Sequence, residues 1–547
     1  NHIQAKCYRP RSSNYGTIVT EKRIDTYNYK TMNKHLTAII IALFIGTNIN
    51  AAGGDVVLPA AIPVYVERFD WALGSGGNDG NWASKNMQPR NGTWGNATLS
   101  YCSEANTCIC VGTTSSEGKI TLTDMPKTEG FVTMRAGSFL NEDRDKATIV
   151  LENIVTSPIT TTIDTEKFSY IRKAFYDTKN DRTIIIKGDD SRDNRRFYFD
   201  DLVVYSVTTD IEKLKTASRI LLATEPYSKE QIQILQQVVK ENKNLTSIDL
   251  WSIESVEEPF ELQPANPNCI IYDPNHNVTN TVNVARCSGT KKDVNTYVCE
   301  NLVIKDGYPF DAIYSFTATN VSYDREFANT GEDYFSVCLP FAINKDNTRI
   351  AKLLKFVELK QEDNQIIFDD ADIIPANTPC VISVLDKQPF LDMKNVNARI
   401  EASTPRIIWK SVPDNASNAE KEEAARICKL YGTYETRTDI STNNEMIVYG
   451  FSGGKFVQVG EGCTFKPFRA YITADRNNAP ALTKELNLAT KNGWVNIKNI
   501  QNSSTNNETT VFPTDGILLR KAPTYSKAIE NLPKGIYIIN GNKTIIK

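Results

Sequence analysis

A chain of 547 residues with 40% apolar content is long enough for about three to four domains and too polar for an integral membrane protein. Its net charge of −3 offers no basic stripe for a phosphate backbone, which excludes nucleic acid as a partner. Only His2, His35 and His276 are available for histidine chemistry. The first two precede the folded region, and His276 sits in the turn-like Asp273-Pro274-Asn275-His276-Asn277, where it reads as an exposed loop residue. A Ser-His-Asp or Cys-His arrangement is therefore not supported, whereas paired-carboxylate catalysis needs no histidine and stays open.

In chain order, residues 1–31 are polar and lack an apolar period, and read as an upstream leader outside the mature protein. Residues 32–52 read as a signal peptide: a positive start at Met32–His35, an apolar run from Leu36 to Ile45, then small residues at Asn50–Gly53. The run is far below the ~18–20 residues that span a bilayer, which argues against an uncleaved anchor behind a cytoplasmic tail. The expected mature start is near Ala52 or Gly53, with no transmembrane segment and no cysteine for lipoprotein anchoring. Of the eleven cysteines, Cys7 falls in the leader. The spacing of Cys102, Cys108 and Cys110 permits a local disulfide in an exported chain, while the scattered remainder read as small buried hydrophobes. The absence of a CxxC pair disfavours zinc.

From 62 to 206, short strand-like runs alternate with Gly, Asn, Asp and Ser turns. Lys119–Leu122, Gly130–Arg135, Ala147–Leu151, Arg182–Ile186 and Phe197–Val204 are the clearest, and without helical periodicity they predict a two-sheet jelly-roll sandwich. The run Arg196–Val204, with Gly74–Trp82 and Val111–Gly118, resembles the carbohydrate-module-like jelly rolls of Bacteroidetes-type exported surface proteins. In that family an acidic residue of the closing strand often ligates a structural calcium together with a group from the first strand. Counting alternation places Asp200 in phase with inward Leu202 and Val204, and an inward carboxylate needs a partner or a cation. Glu67 is the natural partner, and hard oxygen ligands suit calcium. Trp71, Trp82 and Trp94 crowd into the first loops, either to stack on sugar rings as a ligand-binding face or to pack this segment onto the sandwich.

Residues 207–257 change character. Ser228-Lys229-Glu230-Gln231 forms a capping box, Ile232, Leu235, Val238 and Val239 share a helical face, and Leu245–Leu250 reads as a strand. One helix and one strand resemble a single degenerate leucine-rich-repeat unit; with no second copy in view, it is expected to be a connector. Residues 258–488 return to a β pattern and are expected to form one or two β-sandwich domains.

Asn499–Asn507 is a polar linker, and 508–547 predicts a β tail ending in a hairpin around Asn540-Gly541. Gly535-Ile536-Tyr537 and the lysine-containing last strand resemble the C-terminal sorting domains of type IX secretion substrates, which implies the type IX export machinery as a partner.

The sequence thus predicts a mainly β, multi-domain protein at the cell surface or outside the cell. Its expected function is non-catalytic binding of a glycan or a host or cell-surface protein, with structural calcium and no organic cofactor. The alternatives are a structural surface or matrix protein without a small ligand, and a glycoside hydrolase using paired carboxylates. No nucleophile elbow, P-loop, dinucleotide fingerprint or metalloprotease helix is present.

Overall fold

Strand-forming sequence with period-two burial builds the N-terminal half of the computed structural model. The structure describes residues 56–68, 93–95, 97–100, 108–112, 118–138, 147–154, 159–163, 169–176, 182–188, 197–223, 227–254, 256–289, 292–327, 334–347, 349–384, 390–402, 404–412, 417, 420, 423–424, 427–477, 479, 482–490, 493–494, 509–513, 519–539 and 542–546. The leader and signal peptide expected at 1–52 lie outside these residues.

Among the described residues, eleven strands make the sandwich. They are β1 (Ala60–Glu67), β2 (Thr93–Gly95), β3 (Ala97–Ser100), β4 (Cys108–Val111), β5 (Lys119–Met125), β6 (Gly130–Ser138), β7 (Ala147–Glu152), β8 (Ile159–Ile163), β9 (Ser169–Phe175), β10 (Arg182–Gly188) and β11 (Phe197–Thr208). One sheet is five-stranded, in the order β2-β5-β10-β7-β8. The other joins β1, β11, β6 and β9, with β4 and β3 beyond β11. Strand β10 alternates buried and half-buried along its whole length, so Ile184 and Ile186 meet Val132, Met134 and Val204 between the sheets. Each such side chain contributes about 1.5–3 kcal/mol by leaving water. Pro63 lacks an N–H, and the β1–β11 register shifts between Pro63 and Tyr65.

Beyond the sandwich come α1 (Ile211–Leu214), β12 (Arg219–Leu222), α2 (Lys229–Glu241), β13 (Ser247–Asp249), β14 (Ile270–Tyr272) and β15 (Val284–Cys287). The capping box is present: Gln231 N donates to Ser228 Oγ at 3.3 Å, and Ser228 N donates to Gln231 Oε1 at 2.9 Å. Helix α2 then buries Leu235, Val238 and Val239. The single unit expected here turns out to open a ladder. Strand β12 takes β1 antiparallel on one side, and β12, β13, β14 and β15 run parallel on the other. Buried asparagines hold the turns between rungs. Asn242 Nδ2 donates to Leu214 O and Ala217 O, Asn266 Nδ2 to Leu245 O and Pro309 O, and Asn268 Nδ2 to Lys305 O and Tyr308 O. Asn283 Nδ2 closes the series on Pro267 O and Val303 O. Each amide donates to two main-chain carbonyls at once, so its two N–H groups are satisfied inside the fold.

Strands β16 (Tyr297–Lys305) and β17 (Phe316–Asp324) continue the same sheet, which is 14-stranded and runs without interruption from the sandwich through the ladder. A second, 11-stranded sheet between Phe335 and Trp494 encloses Leu354, Phe368, Tyr449, Phe456, Ile472 and Leu488. A hydrophobic cluster including Phe131, Tyr205, Tyr272, Tyr314, Val337 and Phe468 ties sandwich, ladder and second sheet together. The last sheet has four strands and ends in a hairpin that pairs Ile536 with Ile545 and Ile539 with Asn542. Tyr537 and Ile539 are buried there, as alternation requires. Among the described residues, no helix is long and apolar enough to cross a membrane.

Candidate functional site

Where β9 faces the ladder, the fold leaves a cleft of about 540 Å³. Alternation along β9 turns Ile171 and Phe175 into the sandwich core and gives the even-numbered residues the opposite face. Tyr170, Arg172, Ala174 and Tyr176 line the cleft, with Phe131 of β6 beside them. Across from them lie Ala223, just after β12, Trp251, just after β13, and the Lys292–Val294 loop that precedes β16. Tyr176 is 60% exposed. Tyr170 is steadied by an edge-on contact with Tyr314 at 4.7 Å.

Arg172 is the organising residue. Its Nη1 donates to Asp249 Oδ2 at 2.7 Å and to Tyr314 OH at 3.3 Å. Its guanidinium carbon lies 4.3 Å from the Phe131 ring centre and 5.8 Å from that of Trp251. Burial works against its charge, but Tyr314 and Asp249 outweigh burial and raise its pKa above the ordinary value. Asp249 is fully buried and well satisfied: Tyr314 OH donates to Oδ2 at 2.7 Å and Trp251 N to Oδ1 at 2.8 Å. The Trp251 main chain is held from the other side by Lys292, whose Nζ donates to Trp251 O at 2.8 Å and to Glu254 Oε1 at 2.7 Å.

A second, partly buried carboxylate locks the same junction. Asp311 Oδ2 accepts from Arg219 Nε at 2.6 Å and lies 2.9 Å from Arg68 Nη2. Burial pushes its carboxyl up, yet Arg219 and Arg68 together hold its pKa below the ordinary value. The cleft is therefore rigidly backed, with aromatic surface and fixed polar groups facing a common space.

Of the residues expected from sequence, Glu67 and Asp200 are not among those that line the cleft. Trp71 and Trp82 fall outside the described residues, and for Trp94 only its place in β2 is described. Glu67 and Asp200 are both buried on the neighbouring strands β1 and β11, with Glu67 opposite Leu202. The alternation used to place Asp200 does not carry through, because the β11–β6 register shifts between Asp200 and Val203, and Asp201 adopts φ 49°. Asp200 is instead the register partner of Arg135, whose Nη1 donates to Asp201 Oδ2 at 3.2 Å and to Ala402 O at 2.8 Å. Calcium takes six to eight oxygens, more than two carboxylates supply. Among the described residues, no group of three or more His, Cys, Asp or Glu gathers to hold a metal ion.

Cys269, Cys287, Cys299, Cys338, Cys380 and Cys428 are free and buried. Burial raises the thiols of Cys299 and Cys428 to about 12, which keeps them protonated and unreactive at neutral pH. His276 is exposed in its loop, at φ 60°. Trp251 was missed by the sequence reading; its signal was its position directly after the predicted strand Leu245–Leu250.

No family model matches the chain, and no curated protein matches it. Among solved structures, it is similar to the C-terminal family 22 carbohydrate binding module of Clostridium thermocellum Xyn10B. Identity is 13% over 27% of this chain and 94% of that chain, with a TM-score of 0.19. CsCBM6-3 from Clostridium stercorarium matches at 12% identity over 24% of this chain and 98% of that chain, with a TM-score of 0.17. The enzymatically active domain of bacteriophage CBA120 tailspike protein 4 matches at 11% identity over 22% and 20% of the two chains, with a TM-score of 0.17. Likeness at this level says nothing of what the chain binds.

Proposed function

We propose that the chain is a non-catalytic, exported binding protein whose cleft between β9 and the ladder receives a glycan. The observation that carries this reading is the cleft itself, where Phe131, Tyr170, Tyr176 and Trp251 stand around the fixed guanidinium of Arg172. Sugar rings offer apolar C–H faces to aromatic side chains and hydroxyls to polar ones, and the cleft presents both kinds of surface. Screening the full chain on a glycan array tests the proposal. Binding that Tyr176→Ala weakens supports it, and an array without binding overturns it.

Export and surface delivery belong to the same proposal, on the signal-like 32–52 segment and the sorting-like tail. N-terminal sequencing of secreted material checks this, with a start near Ala52 or Gly53 expected. A structural calcium at Glu67 and Asp200 is also retained as a proposal, supported by the burial of both carboxylates on adjacent strands.

One observation favours a second reading as a glycoside hydrolase: two carboxylates, Glu129 and Asp293, line the cleft. Against it, Asp293 Oδ1 is engaged in its own turn, accepting from Asn295 N at 2.9 Å. Release of reducing sugar from a bound glycan, lost in Glu129→Gln, would establish hydrolysis.

A further inference from the structure

The charges around the cleft narrow the class of glycan, and this step rests on the glycan-binding reading. Arg172 makes all its hydrogen bonds among the described residues through Nη1, to Asp249 and Tyr314. Its Nε and Nη2 donors remain for a ligand, on a side chain only 10% exposed and stacked against Phe131. A guanidinium edge is a flat two-donor fork. It suits two kinds of acceptor pair: the oxygens of a carboxylate, or the adjacent hydroxyls of a pyranose ring.

Electrostatics decides between them. Among the described residues, three cations, Arg172, Lys173 and Lys292, stand at the cleft. Four carboxylates face them: Glu129 and Asp293 in the lining, and Asp249 and Glu254 as the ion-pair partners of Arg172 and Lys292. The positive charge of Arg172 is already spent on a fully buried Asp249. A ligand carboxylate would bring another negative charge into a partly desolvated site with no cation in excess among the described residues, which is unfavourable. Hydroxyl groups accept from the same donors without adding charge.

We infer that the cleft selects an uncharged glycan, with the free edge of Arg172 donating to a pair of neighbouring ring hydroxyls. Arg172 is then the residue that determines specificity, and Tyr176 and Trp251 supply the apolar contacts.

The experiment titrates the full chain calorimetrically with hexagalacturonate, its fully methyl-esterified form, and neutral xylo-, gluco- and manno-hexaoses. At least one uncharged hexaose should bind about tenfold or more tighter than hexagalacturonate. Its affinity should change by less than about twofold between about 50 and about 500 mM NaCl, because no net ion pairing forms. Arg172→Lys keeps a charge against Asp249 while removing the fork, and should cost about tenfold in affinity for the neutral ligand. Tighter binding of hexagalacturonate, weakening with salt, would overturn the inference while leaving glycan binding standing. An unchanged affinity in folded Arg172→Lys would overturn the role of Arg172. Binding of no member of the panel would overturn the glycan reading and this inference together.

Discussion

Arg172 Nη1 of the sandwich lies 2.7 Å from Asp249 Oδ2 of the parallel ladder, so one buried ion pair spans the junction that walls the cleft. The pair fixes strand β9 against β13, and Tyr314 and the Trp251 amide complete the carboxylate's hydrogen bonds. Binding surface and fold stability therefore share the same residues.

Removing one partner leaves the other charge buried without compensation. Asp249→Ala should cost about 3–5 kcal/mol of stability in urea denaturation. A loss below about 1 kcal/mol, the range of exposed pairs, would show that the junction is open to water in solution.

Asp311 gives the junction a pH dependence. Its folded pKa is depressed by Arg219 and Arg68, so its stabilisation is full above the unfolded carboxylate value of about 3.9. It is lost as pH falls through the folded value. Asp311→Asn should lower the melting temperature at neutral pH and flatten its fall in acid. A variant with the wild-type acid profile would contradict this.

Ser228 caps α2, and its hydroxyl accepts from Gln231 N. Ser228→Ala should cost about 0.5–2 kcal/mol, read from denaturant midpoints, without affecting ligand binding.

For calcium at Glu67 and Asp200, the expected result is a lower melting temperature in excess chelator, restored by added calcium. An identical curve with and without chelator would mean that Arg135 and the local hydrogen bonds suffice.

Much of the fold could be read from local pattern. The sandwich strands follow period-two alternation, α2 follows its capping box and helical stripe, and the terminal hairpin has the register that its alternating isoleucines imply. The ladder was not legible, because its parallel strands begin at Arg219, Ser247, Ile270 and Val284, at unequal spacing. Repeat detection needs a constant period, whereas the fold needs only that each short buried strand reach its neighbour. Long-range pairing after residue 257, such as β17 with residues 390–393, leaves no local trace in the sequence either. The cleft was hidden too: Arg172 and Asp249 are 77 residues apart, and neither neighbourhood advertises the other. At Asp200 a register shift beside Asp201 defeated simple counting.

The most direct test of the central claim is calorimetric titration of neutral hexaoses into the full chain and into Tyr176→Ala and Trp251→Ala. Tyr176 is largely exposed, so its removal should leave the melting temperature unchanged. The account predicts a one-site isotherm for the wild type and a loss of about tenfold or more in each variant, as expected when a ring contact is removed. Wild-type affinity in both variants, or no heat with any glycan, would contradict it.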